Sequence, residues 1–401
     1  MAQQSPPFLA PVSLGDFFTH YWEKQPLHIT RDGGEITELI DLPAIERLFS
    51  TQPLYFPGVQ LTQSGKTIAV SSYADEQSVI LPLRLFELHA QGATIVLSQA
   101  QKLFAPLNDL CREVMRTLKM DCQANVYVSA PANQGFNAHY DTHDVFVLQV
   151  SGAKTFNFYA SPVHLPFPDE QFDANKLNAT PINSTPIDES IRLTAGDTLY
   201  IPRGIVHDAI ADDTDPSIHI TLGVYPVLMR DVLLKAVHYQ ASQDHQFRKS
   251  LNPFITSDEA CNDVRETLMA LLQQAQKPLS DTASFLDLMA GFQDALAIGA
   301  PQDCTGLSQR LGITCKPDEP LPVFKRLLLR PELIIDFRYS APCLKIHTFG
   351  QIMEFNDPVS SVMLRLLEQG LLDQHELRHL GVDHSEAMVR RLLQENLVDV
   401  E

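Results

Sequence analysis

The chain has 401 residues, 44% hydrophobic and 20% charged, an ordinary composition for a soluble globular protein and enough for two or three domains around a large buried core. Thirty basic residues against forty-nine acidic ones leave a formal charge of −19, which argues against nucleic acid as a direct partner and suits basic polypeptides instead. No stretch approaches the roughly 20 apolar residues needed to cross a bilayer. The N-terminus lacks the basic and apolar regions of a secretory signal, and six scattered cysteines without a CxxC pair exclude a zinc module or a disulfide scaffold, so the expectation is a cytoplasmic protein.

In SLGDFFTHYWEK, Leu14, Phe17, Phe18 and Tyr21 recur at helical spacing and predict a first helix, with Trp22, the single tryptophan, in the core. PLHIT reads as a short strand after it. From residue 38 to 120 helical and strand signals alternate: DLPAIERLFS opens a helix, TIAVSS and ATIVLS read as strands, and LNDLCREVMRTLKM is an amphipathic helix running into the strand ANVYVS.

The next stretch, Asn125 to Tyr159, carries the chemistry. His139 and Asp141 lie two residues apart between alternating apolar segments, which on a strand places both side chains on one face. One imidazole and one carboxylate on a face, completed by a second imidazole, form the two-histidine, one-carboxylate set that holds non-haem Fe(II) with open positions. His207 is the candidate third ligand. An isolated HxD is more often a surface or hydrogen-bonded pair, but here it is followed by DVFVLQV, the Ser151-Gly152 turn, KTFNFY, the turn at Ala195-Gly196-Asp197, TLYIPRG and His207. Short strands punctuated by Gly and Pro turns describe a small antiparallel barrel. In KTFNFY, Lys154 shares a face with Phe156 and Phe158, so either the strand is an edge with Lys154 reaching outward, or a bound anion neutralises it.

HYDTHDVFVLQVSGAK, GDTLYIPRGIVH and SIHITLG together resemble the JmjC-type cupin hydroxylases, in particular the ribosomal oxygenase group of iron- and 2-oxoglutarate-dependent enzymes. The likeness runs over roughly residues 125 to 225, and YWEKQPLHI resembles the group's N-terminal segment. It implies a double-stranded β-helix (jelly-roll) barrel in an α+β chain, with His139, Asp141 and His207 as iron ligands and catalytic residues, and Lys154 on the distal carboxylate of 2-oxoglutarate. Asn125 and Tyr127 would line the co-substrate pocket as the matching family positions do, although a satisfied core Asn is the competing reading. His219 shares a face with Ser217 and Thr221, a polar stripe that touches the co-substrate or is simply hydrogen-bonded in the barrel. His143 is not used by the family pattern and is assigned an outer or exposed role.

Between Ala160 and Pro186 the chain turns to Pro, Asp and Asn without periodicity, a long loop placed at the rim of the substrate entrance. MRDVLLKAVHYQ, SDEACNDVRETLMALLQQAQ and TASFLDLMAGFQDALAIG are amphipathic helices. By resemblance they form a dimerisation domain, so a homodimer is expected. LIIDFRY and CLKIHTF as strands, then helical PVSSVMLRLLEQG, DQHELRHL and SEAMVRRLLQENL, resemble a winged helix. Residues 351–401 carry ten acidic residues, four arginines and no lysine, the wrong sign for DNA, which suggests a protein-contacting module. The expected boundaries are 1–227 for the barrel with its N-terminal helices, 228–310 for the helical domain and 311–401 for the winged-helix-like domain.

The function these features imply is an Fe(II)- and 2-oxoglutarate-dependent protein hydroxylase using O2 as co-substrate, acting on an Arg or His side chain of a protein or peptide, with a basic ribosomal protein as the leading candidate. Tailoring of a ribosomally made natural-product peptide is the alternative within the enzyme class. A cupin binding module that has lost catalysis is the alternative outside it.

Overall fold

The computed structural model describes residues 5–173, 186–212, 214–251, 258–280, 282–299, 321–330, 333–348 and 351–401. The chain divides into two units, Met1–Pro226 and Val227–Glu401.

The first unit opens with α1 (Leu14–His20), capped by Ser13, whose hydroxyl accepts the Asp16 N–H at 3.0 Å. It is shorter than the pattern suggests, and Trp22 just beyond it is half-buried, stacked on Tyr200 at 5.7 Å, rather than in the core. There follow β1 (Leu27–Ile29), α2 (Leu42–Thr51), β2 (Val59–Gln63), β3 (Lys66–Thr67), α3 (Pro82–Ala90), β4 (Thr94–Leu97) and α4 (Ala105–Leu118). TIAVSS is not one strand: only Lys66–Thr67 pair, with β2, and Val70–Ser72 form a 3-10 turn. Its residues are largely exposed, so burial supplies nothing to hold an extended ladder.

The barrel strands are β5 (Asp121–Ser129), β6 (Asp144–Ser151), β7 (Ala153–Tyr159), β8 (Ile187–Thr194), β9 (Thr198–Ile201), β10 (Val206–Ala211) and β11 (Ser217–Tyr225). They form an eight-stranded sheet in the order β1-β9-β6-β11-β5-β4-β2-β3 and a three-stranded sheet β10-β7-β8, with every pairing antiparallel. Central β6 is apolar from Val145 to Leu148 because both its faces are buried. Phe146 meets Phe8 and Phe17 of the N-terminal layer at 5.2 and 5.6 Å, while Val145 and Val147 cluster with Phe156, Phe158 and Leu193 of the smaller sheet. The turn from β6 to β7 needs Gly152: its φ is +65°, and a Cβ there would stand 2.4 Å from the Pro216 carbonyl oxygen.

In the second unit, α5 (Met229–Gln243), α6 (Asp258–Ala275) and α7 (Thr282–Gly299) correspond to the three amphipathic helices, and Val232, Ala236 and Leu288 form a small core. Two further sheets follow, β12 (Arg326–Leu329) and, in a meander, β13 (Asp336–Ser340), β14 (Cys343–Thr348) and β15 (Gln351–Asn356). Next come α8 (Val359–Gln369), β16 (Leu371–Asp373), α9 (Val382–Gln394) and β17 (Val398–Val400), with β16 and β17 flanking β12. DQHELRHL is a 3-10 segment, Gln374–Leu380. Among the described residues no helix is long and apolar enough to cross a membrane.

Candidate metal centre

His139 and Asp141 are not in a regular strand. They precede β6 in an extended segment that joins β10 through isolated antiparallel bridges, Gln134 with Ile210 and His139 with His207, the latter with N–H···O distances of 3.0 and 2.8 Å. Extended backbone keeps the two-residue period, so the inference that both side chains face one way holds without a ladder. His139, Asp141 and His207 place one ligand atom each within 4.8 Å of the others, and His207 Nε2 lies 3.7 Å from Asp141 Oδ2.

Each imidazole is oriented by its second nitrogen. His139 Nδ1 is 2.8 Å from the Asn137 carbonyl oxygen and His207 Nδ1 is 2.9 Å from that of Ile205. A carbonyl oxygen can only accept, so both Nδ1 atoms carry the proton and both Nε2 lone pairs are left for a metal. Burial disfavours a charged Asp141, but His139, His207 and His143 outweigh it and hold the carboxyl below its ordinary range. Burial, then His139, lowers His207, keeping it a neutral ligand.

These three side chains open onto a cavity of about 270 Å³ that also contains Asn125, Tyr127, Lys154 and His219 in its wall. Lys154 is 3% exposed, with Nζ donating to Ser129 Oγ at 3.2 Å. Burial brings its pKa down to about 7. The sequence left open an edge strand with an outward Lys154. In the structure β7 lies between β10 and β8, and the ammonium is buried in the barrel. His219 is stacked flat on Tyr127 at 4.7 Å, and burial, then Lys154, lowers it well below the ordinary histidine range. The closed end of the cavity thus has neutral neighbours and a cation, the setting for an anionic guest.

Ser217 does not line the cavity: it is fully buried and accepts from Gln149 Nε2 at 2.9 Å. His143 does line it, its ring 4.9 Å from Tyr225 and seated over Gly223, where a Cβ would meet His143 Cε1 at 3.1 Å. Asn125 is fixed by the Gln99 N–H at 3.0 Å and Gln123 Nε2 at 3.1 Å. Of the long loop, residues 160–173 are described, and Phe172 packs 6.5 Å from the His139 ring; 174–185 lie outside the described residues. Sequence reasoning missed Ser129, Thr94 and Asp208. Ser129 continues the alternation of Asn125 and Tyr127, so the period would have found it. Asp208 accepts from Asn157 Nδ2 at 2.9 Å and Tyr159 Oη at 2.8 Å, partners invisible in its own neighbourhood.

Two opposed antiparallel sheets enclosing a two-histidine, one-carboxylate cluster define a cupin-type jelly roll. Residues 97–232 match the JmjC domain family. It is similar to a protein of Drosophila pseudoobscura pseudoobscura named bifunctional lysine-specific demethylase and histidyl-hydroxylase NO66, with 30% identity over 250 residues, 61% of this chain and 26% of that protein. The Drosophila willistoni protein of the same name is 31% identical over 225 residues, 54% of this chain and 28% of that protein. The match thus spans between about a quarter and a third of these relatives' length. In fold, the crystal structure of Escherichia coli ribosomal oxygenase YcfD matches 97% of this chain and 98% of its own, with a TM-score of 0.54 and 15% identity. A structure of that protein with cobalt and 2-oxoglutarate matches with a TM-score of 0.51, at 14% identity over 98% of this chain and 99% of its own.

Proposed function

We propose that the chain is an Fe(II)- and 2-oxoglutarate-dependent dioxygenase that hydroxylates an Arg or His side chain of a protein, with a basic ribosomal protein as the substrate class. One observation carries this reading: three clustered ligand atoms, two of them on preoriented imidazoles, share one cavity with a buried lysine that has no carboxylate partner among the described residues. His139, Asp141 and His207 are a donor set suited to Fe(II), which leaves positions open for other ligands. Bound there, the iron would supply activation of O2 coupled to oxidation of 2-oxoglutarate to succinate and carbon dioxide. Lys154, with Ser129 beside it, holds the distal carboxylate and so orients the co-substrate. Tyr127 and His219 flank that site, and burial raises the Tyr127 hydroxyl above its usual range, keeping it a neutral donor. Val145, Val147 and Phe156 form an apolar wall that excludes water. The names of the fly relatives and the cobalt and 2-oxoglutarate complex of the E. coli protein support the same reading.

The helices α5 and α6 expose Met229, Leu233, Leu234, Leu268, Met269 and Leu272. So much apolar surface on amphipathic helices supports a homodimer formed through this face. Residues 311–401 are assigned as a winged-helix-like module that contacts protein, in keeping with their acidic charge. A cytoplasmic location suits the free buried thiols of Cys111 and Cys122.

The test is mass spectrometry of ribosomes and total cell protein after incubation with the purified protein, Fe(II), 2-oxoglutarate and air, with Asp141→Ala as control. A single added oxygen on one ribosomal-protein residue, absent with the variant, is the expected result. No added oxygen on any ribosomal protein would overturn the substrate assignment, and no succinate formation would overturn the enzymatic one.

A further inference from the structure

A buried ion-pair network joins the two chain segments that bring the ligands together. Asp144 begins β6, three residues after Asp141, and is fully buried. It accepts from Tyr200 Oη at 2.7 Å and from Arg203 Nη1 at 3.0 Å. The same guanidinium, 6% exposed, donates to Glu23 Oε1 at 2.5 Å, and the Glu23 N–H donates to Tyr200 Oη at 2.9 Å. Trp22, stacked on Tyr200, lies beside the network. Glu23 itself has φ +57°, a left-handed conformation costly for a residue with a side chain and held here by these bonds.

The position of Arg203 gives the network its meaning. The next N–H, that of Gly204, donates to the Asp141 carbonyl at 3.0 Å. The next carbonyl, that of Ile205, accepts from His207 Nδ1 at 2.9 Å. Three consecutive residues therefore hold Asp144 by a side chain, Asp141 by an amide and His207 by a carbonyl. Both carboxylates are served by one nitrogen, Nη1, whose N–H directions are fixed by the guanidinium plane, whereas a lysine ammonium is a rotatable point charge.

We propose that Arg203, clamped by Glu23 of the N-terminal segment, is a positioning residue of the metal centre: it fixes the turn from which Gly204 and Ile205 orient Asp141 and His207. The proposal rests on the reading of the triad as a metal site. An ion pair that served the fold alone would change melting temperature and leave metal affinity untouched. A positioning role makes metal affinity depend on a carboxylate in the N-terminal segment that touches no ligand.

The experiment is a titration of the full, metal-free chain with Co(II), followed by calorimetry and by the visible absorption of the bound ion, well below the melting temperature. Wild type, Arg203→Lys, Glu23→Gln and Asp141→Ala are compared, with far-UV circular dichroism as the check on folding. Arg203→Lys is expected to weaken Co(II) binding roughly 10- to 100-fold, the effect usual for groups that orient ligands, and to alter the absorption spectrum. Glu23→Gln should weaken it by a smaller factor. Because Glu23 is partly exposed, that variant decides the matter if Arg203→Lys does not fold. Wild-type affinity in every folded variant of the pair overturns the proposal while leaving the metal site in place. Undiminished affinity in Asp141→Ala overturns the metal reading and the proposal with it.

Discussion

Replacing Lys154 with Met removes the charge from the closed end of the cavity while keeping the length of the side chain. In the free protein this ammonium is buried, bonded to Ser129, and has its pKa lowered by burial from 10.5 to about 7. At about 1.4 kcal/mol per unit, the shift amounts to a penalty of about 5 kcal/mol on the charged form. The unfolded chain keeps the ordinary value, so between roughly pH 7 and 10.5 it binds more protons than the folded chain, and stability rises with pH across that window. Below about pH 7 the penalty is present in full. Lys154→Met should therefore raise the melting temperature of the free protein most at pH 6 to 7, with the gain shrinking towards pH 10. The same change should weaken 2-oxoglutarate by at least ~30-fold, the ~2 kcal/mol lower bound for removing one member of a buried charge pair. In the wild type the incoming carboxylate restores the charge, so binding takes up a proton above pH 7 and affinity falls by up to about tenfold per pH unit there. Melting curves from pH 6 to 10, and calorimetric titration with 2-oxoglutarate in buffers of different ionisation enthalpy, read all three effects. A variant less stable than wild type at every pH, or one with undiminished co-substrate affinity, would refute the assignment of Lys154.

Chelating the metal from the wild type should abolish turnover, and Fe(II) should restore it; Asp141→Ala should stay inactive after the same addition, as followed by succinate release. Asp208→Asn turns one acceptor among three donors into a donor and should cost about 1–3 kcal/mol in urea unfolding, since Gln134, Asn157 and Tyr159 all point at that carboxylate; an unchanged midpoint would contradict the network. Leu233→Glu combined with Leu268→Glu should convert a dimer to a monomer in light scattering, and a wild type already monomeric at tens of micromolar would remove the basis for that face.

The barrel was legible because its signals are local. Alternation in ANVYVS put Asn125 and Tyr127 on the cavity side, and β7 and β11 follow KTFNFY and SIHITLG closely. HYD could be read even though its residues form no ladder, because a two-residue period belongs to any extended backbone. TIAVSS failed for the complementary reason: strand-forming residue types without burial or a neighbouring strand do not make a strand. Of the stripe of Ser217, His219 and Thr221, the last two line the cavity, whereas the Ser217 hydroxyl accepts from Gln149 Nε2.

Residue chemistry and spacing by themselves pointed to the candidate ligand set, most of the barrel strands and the amphipathic helices that follow them. Only the tertiary structure decided that Lys154 is enclosed rather than reaching outward, that His143 lines the cavity over the bare backbone of Gly223, and that Arg203 joins Glu23, 180 positions away in sequence, to the segment bearing Asp141. The division has a physical cause. Periodicity and turn chemistry depend on neighbours along the chain, whereas the burial of a charge and the convergence of its partners depend on which strands pair, and that is settled by the packing of the whole unit.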